Sequence, residues 1–302
     1  MEGDWVNDAD SGSPLYEQML HLQSQRKRLD DADVPALHSP TVITVANQKG
    51  GVGKTTTTVN LAAALGQMGF KVVVIDIDPQ GNASTALGVS HETGTDSTYE
   101  VLLGELDLGG ALQLSPSATN VAVCPATIDL AGAEVELVDV RDRANLLSNA
   151  VARFLQVNSG VDFVLIDCPP SLGLLTLNAL VAAREVLIPV QAEYYALEGL
   201  SLLLSTLEKV RGALNPSLNE PLMAMTMVDG RTRLASDVAA EVRGHFGDRV
   251  FETDVPRSVR VSEAPSYGQS VVGYDPRSAG ALAYRALAQE LAMKLEEVRG
   301  DE

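Results

Sequence analysis

The chain has 302 residues, 45% of them hydrophobic and 21% charged, so it is not disordered throughout and is long enough to bury a substantial core. Its two cysteines, Cys124 and Cys168, cannot form a disulfide framework and include no C-x-x-C pair, so a reducing cytoplasm is the expected compartment. Twenty-two basic and 40 acidic residues give a formal net charge of −18, which by itself argues against nucleic acid and anionic membranes as partners, since both are polyanions.

The first 39 residues differ in composition from the remainder of the chain. They hold eight acidic and three basic residues, so we predict a mobile acidic N-terminal arm over 1–39, followed by a single domain over 40–302. A sparse apolar stripe over 15–29 predicts a short helix, which either frays in isolation or docks on a partner such as a polar protein. The acidic start is not typical of a signal peptide, and no integral membrane segment is expected.

From Thr41 onward, short apolar runs alternate with helical stretches. Predicted strands cover 41–47, 71–78, 121–124, 161–167, 185–190, 222–228 and 249–255. Predicted helices cover 55–68, 131–155, 172–183, 196–213, 234–246 and 280–298. The Val and Ile runs are continuous rather than alternating, which is typical of strands covered on both faces. The pattern therefore predicts an α/β fold with one doubly wound, mostly parallel sheet and helices on both faces.

A glycine-rich segment, N-Q-K-G-G-V-G-K-T-T over 47–56, lies between the first predicted strand and the first predicted helix. Such a loop directs backbone N–H groups toward phosphate oxygens at the positive end of a helix. Lys54 is expected to contact the β- and γ-phosphates and Thr55 to ligate Mg²⁺. The standard G-x-x-x-x-G-K-[ST] pattern fails, because Gln48 stands where it needs glycine. A tight strand-to-helix turn is the alternative for a glycine loop alone. The predicted nucleotide contacts in the loop are Gly50, Gly51, Val52, Gly53, Lys54, Thr55 and Thr56.

Three aspartates lie at the ends of predicted strands. Asp76 and Asp78, two residues apart, are expected on the same side of one strand at its carboxyl end, next to the phosphate loop. One of these two carboxylates can help to hold the nucleotide's metal shell while the other orients the attacking water. Asp167 ends another apolar strand and is expected to contact Mg²⁺ through water. Each alone is typical of a helix N-cap or turn, but together with the loop they predict a P-loop ATP hydrolase that uses ATP and Mg²⁺.

The segment K-G-G-V-G-K-T-T resembles the deviant Walker A loop of the MinD/ParA class of P-loop proteins, whose first lysine reaches across a dimer interface. The resemblance implies that Lys49 acts on the nucleotide of a partner subunit. The segment I-D-P-Q-G-N over 77–82 resembles the second nucleotide motif of chromosome-partitioning ATPases, which implies that Asp78 activates the attacking water. Lys49, Lys54 and Asp78 are therefore the expected catalytic residues, and Asp76 is expected to contact the nucleotide and its metal.

Relatives of this class perform different functions, so the choice among them depends on other segments. An iron–sulfur relative needs a suitable cysteine pair, a MinD-like membrane ATPase ends in a basic amphipathic helix, and a bacterial tyrosine kinase carries a tyrosine-rich tail. None of these patterns is present in this sequence, which ends M-K-L-E-E-V-R-G-D-E. Three further segments resemble chromosomal ParA/Soj proteins: Q-A-E-Y-Y-A-L-E-G-L over 191–200, V-P-R-S-V-R-V-S-E-A-P-S-Y-G over 255–268, and Y-D-P-R-S over 274–278.

The ParA/Soj resemblance implies an ATP-dependent sandwich homodimer with weak intrinsic activity, in the cytoplasm and associated with the nucleoid. It implies binding to double-stranded DNA without sequence preference and release by a ParB-type partner that stimulates hydrolysis. Met227 and Pro256 are expected beside the adenine. The expected DNA contacts, each of which is alternatively a solvated surface residue, are Arg211, Arg231, Arg233, Arg257 and Arg260. A second hypothesis is a nucleotide-gated polar or cytoskeletal scaffold, similar to MinD, that acts mainly through protein partners.

The distribution of charge along the chain removes the objection raised by the net charge. Residues 1–39 contribute −5 and residues 82–150 contribute −8, so most of the excess lies away from the predicted DNA surface. Residues 229–260 carry six basic and six acidic residues. We therefore expect weak, salt-sensitive DNA binding by a monomer and useful affinity only when a dimer doubles the phosphate contacts.

Overall fold

A seven-stranded sheet organises the chain. The computed structural model describes residues 14–32, 34–37, 39–193 and 196–300. The strands are β1 (Thr41–Val45), β2 (Val72–Asp76), β3 (Gln113–Leu114), β4 (Val121–Cys124), β5 (Phe163–Asp167), β6 (Glu185–Gln191) and β7 (Leu222–Thr226). Their order is β3-β4-β2-β5-β1-β6-β7, and every pair is parallel except the short edge pair β3–β4. The predicted doubly wound, mostly parallel sheet is thereby confirmed.

Thirteen α-helices in the described residues connect and cover the strands. The first seven are α1 (Pro14–Asp31), α2 (Lys54–Gln67), α3 (Asn82–Ala86), α4 (Thr98–Leu103), α5 (Leu108–Ala111), α6 (Leu130–Glu136) and α7 (Leu146–Val157). The remaining six are α8 (Leu174–Ala182), α9 (Ala196–Ala213), α10 (Arg233–Phe246), α11 (Val259–Glu263), α12 (Val271–Tyr274) and α13 (Ala279–Gly300).

The continuous apolar runs are explained by a core on each face of the sheet. Along β2, Val73 and Ile75 belong to one buried cluster, whereas Val72 and Val74 belong to the other. The first cluster includes apolar residues of α7 and α8, and the second includes residues of α2 and α13. Because successive strand residues point to opposite faces, a strand buried on both sides needs an apolar residue at every position.

The strand register places three functional segments at one edge of the sheet. In β5, which lies between β1 and β2, Asp167 is level with Val45 on one side and with Asp76 on the other. The glycine loop follows β1 directly, and Asp78 lies two residues beyond the end of β2. The loop and the three aspartates therefore meet at the carboxyl edge, where ligands of parallel α/β sheets bind.

The segment 249–255, predicted as a strand, is not one. It runs beside β7 with an isolated bridge between Met223 and Val250, and the N–H groups of residues 251 and 255 donate to β7 carbonyls, but the backbone groups between them bind side chains. The Arg243 guanidinium donates to the carbonyls of residues 251 and 252, and the Glu290 carboxylate accepts the N–H groups of residues 252 and 253. These side-chain partners satisfy the backbone without a full eighth strand.

The predicted single helix over 131–155 is also wrong. It is divided into α6 and α7 by residues 137–145, which include a 3₁₀ turn over 137–139 and Asp142 with a φ of 58°. The sequence D-V-R-D-R over 139–143 places charged residues in an otherwise periodic stretch, and the left-handed backbone at Asp142 interrupts the helical hydrogen bonds. The short helices α3, α4 and α5 and the edge strand β3 were not predicted.

The described part of the predicted N-terminal arm forms α1, slightly longer than the predicted helix over 15–29. It lies against α13, where Arg285 donates to Asp30 at 2.6 Å and Gln289 donates to the carbonyl of Leu29 at 2.8 Å. Residues 1–13 of the predicted mobile arm lie outside the described residues. The division into an arm and one domain stays a prediction.

One helical glycine gives a stability prediction. A Cβ added to Gly66 in α2 would lie 2.1 Å from the carbonyl oxygen of Thr119, so Gly66→Ala must displace backbone. We expect a loss of more than about 2 kcal/mol in the free energy of unfolding, measured by urea denaturation. Gly244→Ala in α10 is the matched control, because its Cβ would meet nothing within 4 Å and alanine favours helix by up to about 1 kcal/mol. Equal stability of Gly66→Ala and the unmodified chain would contradict this packing.

Candidate active site

The loop between β1 and α2 forms an open cradle. Gly51 and Gly53 have φ values of 75° and 91°, a backbone region that other residues rarely adopt. A Cβ added to Gly50 or Gly51 would meet nothing within 4 Å, so there is open space beside this part of the loop. The hydroxyl of Thr226 donates to the carbonyl of Val52 at 2.8 Å and ties the loop to β7. This open turn at the N-terminus of α2 fits a phosphate group.

The two lysines of the loop occupy different environments. Lys54 is buried, with only 7% of its surface exposed, and its ammonium donates to the carbonyl of Lys49 at 3.2 Å. Burial lowers the pKa of Lys54, while the nearby Asp167 opposes that shift. An ammonium held in this position is suited to the β- and γ-phosphates of a nucleotide, because an anion compensates for its loss of hydration.

Lys49, by contrast, lies at the exposed rim of the loop. Its side chain is 44% exposed, and its ammonium pairs with the Glu193 carboxylate at 2.7 Å. The backbone N–H of Lys49 donates to the side-chain oxygen of Asn47 at 3.0 Å, which fixes the direction of the loop at this residue. Glu193 belongs to the segment Q-A-E-Y-Y and was not predicted from the sequence to pair with Lys49.

Asp167 is surrounded by hydroxyl groups from α2. Its two oxygens accept from the Thr55 hydroxyl at 2.7 Å and the Thr58 hydroxyl at 3.0 Å. Burial, followed by the charge of Asp76, raises the pKa of Asp167 to about 8. A hydroxyl next to a buried carboxylate is a set of hard oxygen donors that suits Mg²⁺, and the charge of the cation would favour the ionised carboxylate and so lower its pKa. The residues therefore fit a metal bound by Thr55, with Asp167 behind a water.

Asp76 is also fully buried, but its oxygens serve the neighbouring segment. One oxygen accepts from the backbone N–H and hydroxyl of Ser84, at 2.9 and 2.7 Å, and the other accepts from the N–H of Asp78 at 3.2 Å. Burial raises the pKa of Asp76 to about 6, against the opposing effect of the Ser84 hydrogen bonds. These contacts give Asp76 a positioning role at the start of α3, and its metal contact stays a prediction.

Asp78 lies in a tight turn between β2 and α3. Its carboxylate accepts from the N–H of Gln80 at 3.0 Å, and its carbonyl accepts from the N–H of Gly81 at 2.9 Å. Gly81 has a φ of 62° and directly precedes α3. The turn holds the carboxylate at the same sheet edge as Lys54 and Asp167, in a position suited to orienting a water.

A cavity of about 330 Å³ lies beside the phosphate loop. Met227 and Pro256, which were predicted to border the adenine, both line it together with Gly53 and Thr56 of the loop. Tyr284 of α13 also lines it, with its hydroxyl 3.4 Å from that of Thr57. The cavity is suited to a nucleobase, because it is concave, partly apolar and adjacent to the cradle. Tyr284 could not be identified from the sequence, since only the packing of α13 on α2 brings it here.

Comparison with known proteins identifies the family. A family model described as "AAA domain" matches residues 40–220. The sporulation initiation inhibitor protein Soj of Bacillus subtilis is 49% identical over 251 residues, covering 83% of this chain and 98% of that protein. The chromosome partitioning protein ParA of Caulobacter vibrioides is 47% identical over 250 residues, covering 83% of this chain and 93% of that protein. The chain belongs to the ParA/Soj family of chromosome-partitioning ATPases.

Solved structures agree with the ParA/Soj assignment. A structure described as cobyrinic acid a,c-diamide synthase from Mycobacterium smegmatis, with ADP and magnesium, has a TM-score of 0.72 at 36% identity, covering 85% of this chain and 96% of that chain. The septum site-determining protein MinD of Pyrococcus horikoshii, complexed with Mg-ADP, has a TM-score of 0.66 at 27% identity, covering 86% and 98%. The predicted P-loop fold and the family resemblance are thus both confirmed.

The arginines assigned to the DNA surface of this ParA/Soj protein differ in their contacts. Arg231 is 90% exposed and binds the Asp229 carboxylate, whose pKa it lowers to about 2, with Arg257 adding a smaller effect. Arg260 is 55% exposed and pairs with Glu263 and Asp275. Arg233 and Arg257 are exposed. The DNA contacts of these four arginines stay predictions. Arg231 and Arg257 lie near the same carboxylate, because both lower the pKa of Asp229.

Arg211 is the exception among these arginines. Only 28% of its side chain is exposed, and its guanidinium donates to the carbonyls of Leu218 and Asn219 and to the Glu220 carboxylate. It therefore closes the loop between α9 and β7, and its DNA contact stays a prediction. An arginine in the sequence does not by itself indicate this structural role, because its three acceptors, Leu218, Asn219 and Glu220, lie in a loop whose path depends on the position of β7.

Arg211→Ala is therefore expected to affect stability more than DNA affinity. Loss of the charged donor leaves two carbonyls without their partner, which costs about 1–3 kcal/mol in the free energy of unfolding. Urea denaturation and DNA titration of the same sample measure both quantities. Arg233→Ala is the control, because that exposed side chain has no such loop contacts among the described residues. An Arg211→Ala protein of unchanged stability and weakened DNA binding would support the DNA contact instead.

Both cysteines of the chain lie in the core of the sheet. Cys124 and Cys168 are both buried, and burial raises the pKa of each, that of Cys124 to about 12. They pack as small apolar groups on one face of the sheet. Within the described parts of the chain, no helix combines the length and apolar character that crossing a membrane requires.

Proposed function

We propose that this chromosome-partitioning ATPase binds ATP with Mg²⁺, closes as a homodimer, binds double-stranded DNA without sequence preference in the nucleoid, and is released when a ParB-type protein stimulates hydrolysis. The observation that carries the proposal is the contrast between the two loop lysines. Lys54 is buried in the cradle of its own subunit, whereas Lys49 points outward at the rim. One loop thus offers one cation to its own nucleotide and a second to another subunit.

The residues divide the chemistry among them. Bound Mg²⁺ would neutralise charge on the phosphates, with Thr55 as its ligand and Asp167 behind a water. Lys54 holds the β- and γ-phosphate oxygens, and Asp78 orients the water that attacks in line. The Asp76 carboxylate accepts from the backbone N–H of Asp78, which holds the Asp78 turn, and from Ser84, which holds α3. Lys49 of the second subunit supplies positive charge that only a dimer provides, so hydrolysis depends on assembly.

Nucleotide and DNA binding are linked through one loop. Pro256 and Arg257 are consecutive, and both line the cavity that we assign to the nucleobase. The backbone N–H of Arg257 donates to the carbonyl of Val228 at 3.2 Å, so this arginine is tied to the end of β7. A base that contacts Met227 and Pro256 therefore also acts on the position of Arg257. This link lets the nucleotide change the DNA surface as well as the subunit interface.

DNA titration in different nucleotides tests the proposal. We expect a random-sequence duplex to bind at least about tenfold more tightly in ATPγS than in ADP, with affinity that falls steeply between 50 and 200 mM salt, as release of counterions requires. Arg231→Ala combined with Arg257→Ala is expected to weaken binding at every salt concentration. The matched control, Arg141→Ala combined with Arg153→Ala, removes two exposed charges that belong to other elements. No binding in ATPγS at low salt would reject the proposal and favour the MinD-like scaffold.

A further inference from the structure

The helix α1 carries a basic segment that the proposed DNA surface does not include. Arg26, Lys27 and Arg28 are the only three consecutive basic residues in a chain of net charge −18. All three are exposed. They precede residues 40–220, which the family model matches, so the family assignment gives them no role. They lie within the acidic segment 1–39, whose net charge of −5 conceals this local excess of positive charge.

Contacts with α13 and the core hold this segment in place. Asp30 accepts from Arg285 at 2.6 Å, and Gln289 donates to the carbonyl of Leu29. The Arg285 side chain is only 17% exposed, so this ion pair is partly shielded from water. After α1, Val34 and Leu37 pack against the same buried cluster as α13. The basic residues are therefore presented on a helix anchored at both its end and the following segment.

Two residues of the basic segment line grooves that α1 shares with the carboxyl third of the chain. Arg26 of α1 and Arg277 line one groove of about 220 Å³. Arg28 lines a second groove of about 530 Å³ together with Pro256, the residue before Arg257. Asp254 also lines the second groove, but it is paired with Arg243 at 2.6 Å. Arg26 thus shares a groove with Arg277, and Arg28 shares one with Glu252 and with Pro256, the residue before Arg257.

We propose that α1 extends the DNA-binding surface and contacts the phosphodiester backbone of double-stranded DNA through Arg26, Lys27 and Arg28. This inference rests on the proposed function, since it adds contacts to the same DNA surface. The physical reason is the strongly negative chain, which repels DNA unless basic residues are concentrated at the contact. A dimer would present the basic segment twice, which raises the number of phosphate contacts without any base recognition.

The test compares two variants of equal charge in ATPγS. Lys27→Gln combined with Arg28→Gln removes two charges from α1 and leaves the contacts of Arg26, Asp30 and Arg285 intact. The control, Lys71→Gln combined with Arg153→Gln, removes two exposed charges, one just before β2 and one in α7. Binding of a 30-base-pair random duplex is measured by fluorescence anisotropy from 50 to 200 mM salt, and light scattering measures the dimer.

We expect the α1 variant to bind at least about tenfold more weakly at 100 mM salt, with a slope of log affinity against log salt smaller by about 2 to 4, since each phosphate contact contributes about 0.9. The control variant is expected to retain the unmodified slope, and both variants to retain the ATPγS dimer. Unmodified protein that binds DNA, together with an α1 variant of equal affinity and slope, would overturn this inference alone. Unmodified protein that fails to bind would reject the proposed function and this inference together. Loss of binding to phosphatidylglycerol vesicles with unchanged DNA binding would overturn the inference in favour of a membrane contact.

Discussion

Asp78→Ala is expected to lower the ATP turnover rate by about 10²- to 10⁴-fold and to leave nucleotide affinity within a few-fold of the unmodified protein. Asp78 is held in a turn by the N–H groups of Gln80 and Gly81, so the carboxylate is oriented before any substrate arrives. Its removal takes away the group that orients the water but none of the phosphate contacts. The ATP-bound dimer should consequently persist, and its dissociation from DNA should slow by a similar factor.

Single-turnover hydrolysis and DNA dissociation, measured on the same preparation, test this expectation. Asp96→Ala is the control, because it removes an exposed carboxylate from the segment that follows α3 without touching the Asp78 turn. It should leave both rates unchanged. A near-normal turnover rate in Asp78→Ala would remove this residue from the catalytic role. A loss of ATP binding would instead indicate that Asp78 acts on the nucleotide or its metal.

Lys49→Ala is expected to retain ATP binding but to lose the ATP-dependent dimer and to lower turnover by about 10³-fold or more. The physical reason is that Lys54 and the loop N–H groups remain to hold the phosphates, whereas the cation offered to the second subunit is gone. A positive charge supplied from another chain to a phosphoryl-transfer site contributes about 10³ to 10⁵ in rate. Isothermal titration with ATPγS and light scattering separate binding from assembly.

Glu193→Ala provides the opposite comparison for Lys49. It removes the carboxylate that pairs with the Lys49 ammonium at 2.7 Å. The Lys49 side chain is then no longer held by this ion pair and can extend toward a second subunit. We expect the Glu193→Ala protein to form the ATPγS dimer at least as readily as the unmodified protein. Because this ion pair is about half exposed, its own contribution to stability is small, at most about 1 kcal/mol. An ATPγS dimer that persists in Lys49→Ala would refute the role of this lysine between subunits.

Features of the site that depend on neighbouring residues in sequence were predictable. The glycines of the loop, Lys54 and Thr55 lie within six residues of one another, so their spacing alone defines a cradle at a helix N-terminus. Asp76 and Asp78 were placed at a strand end by the apolar run that precedes them. The distance between these segments was also predictable in outline, since parallel strands bring their carboxyl ends to one edge.

Features that depend on contacts between distant segments were not predictable. Glu193 is 144 residues from Lys49, and Tyr284 is 227 residues from Thr57. Ser84 lies nearer to Asp76 in sequence, but its role depends on the short helix α3, which no periodic pattern marked. The loop contacts of Arg211 were missed for a related reason, because an arginine at the end of a helix does not indicate which carbonyls of the following loop accept from it.

The sequence by itself determined the alternation of strands and helices and the chemistry of the phosphate loop, because both depend on side-chain periodicity and on short spacings. The tertiary structure alone decided that 249–255 is not a strand and that Asp76 holds a turn. It also decided that α1 is docked on α13, with Pro256 and Arg277 lining the grooves beside it. The net charge of −18 is a sum over the whole chain, whereas attraction to a polyanion depends on which charges lie together on one surface. That arrangement is a property of the fold.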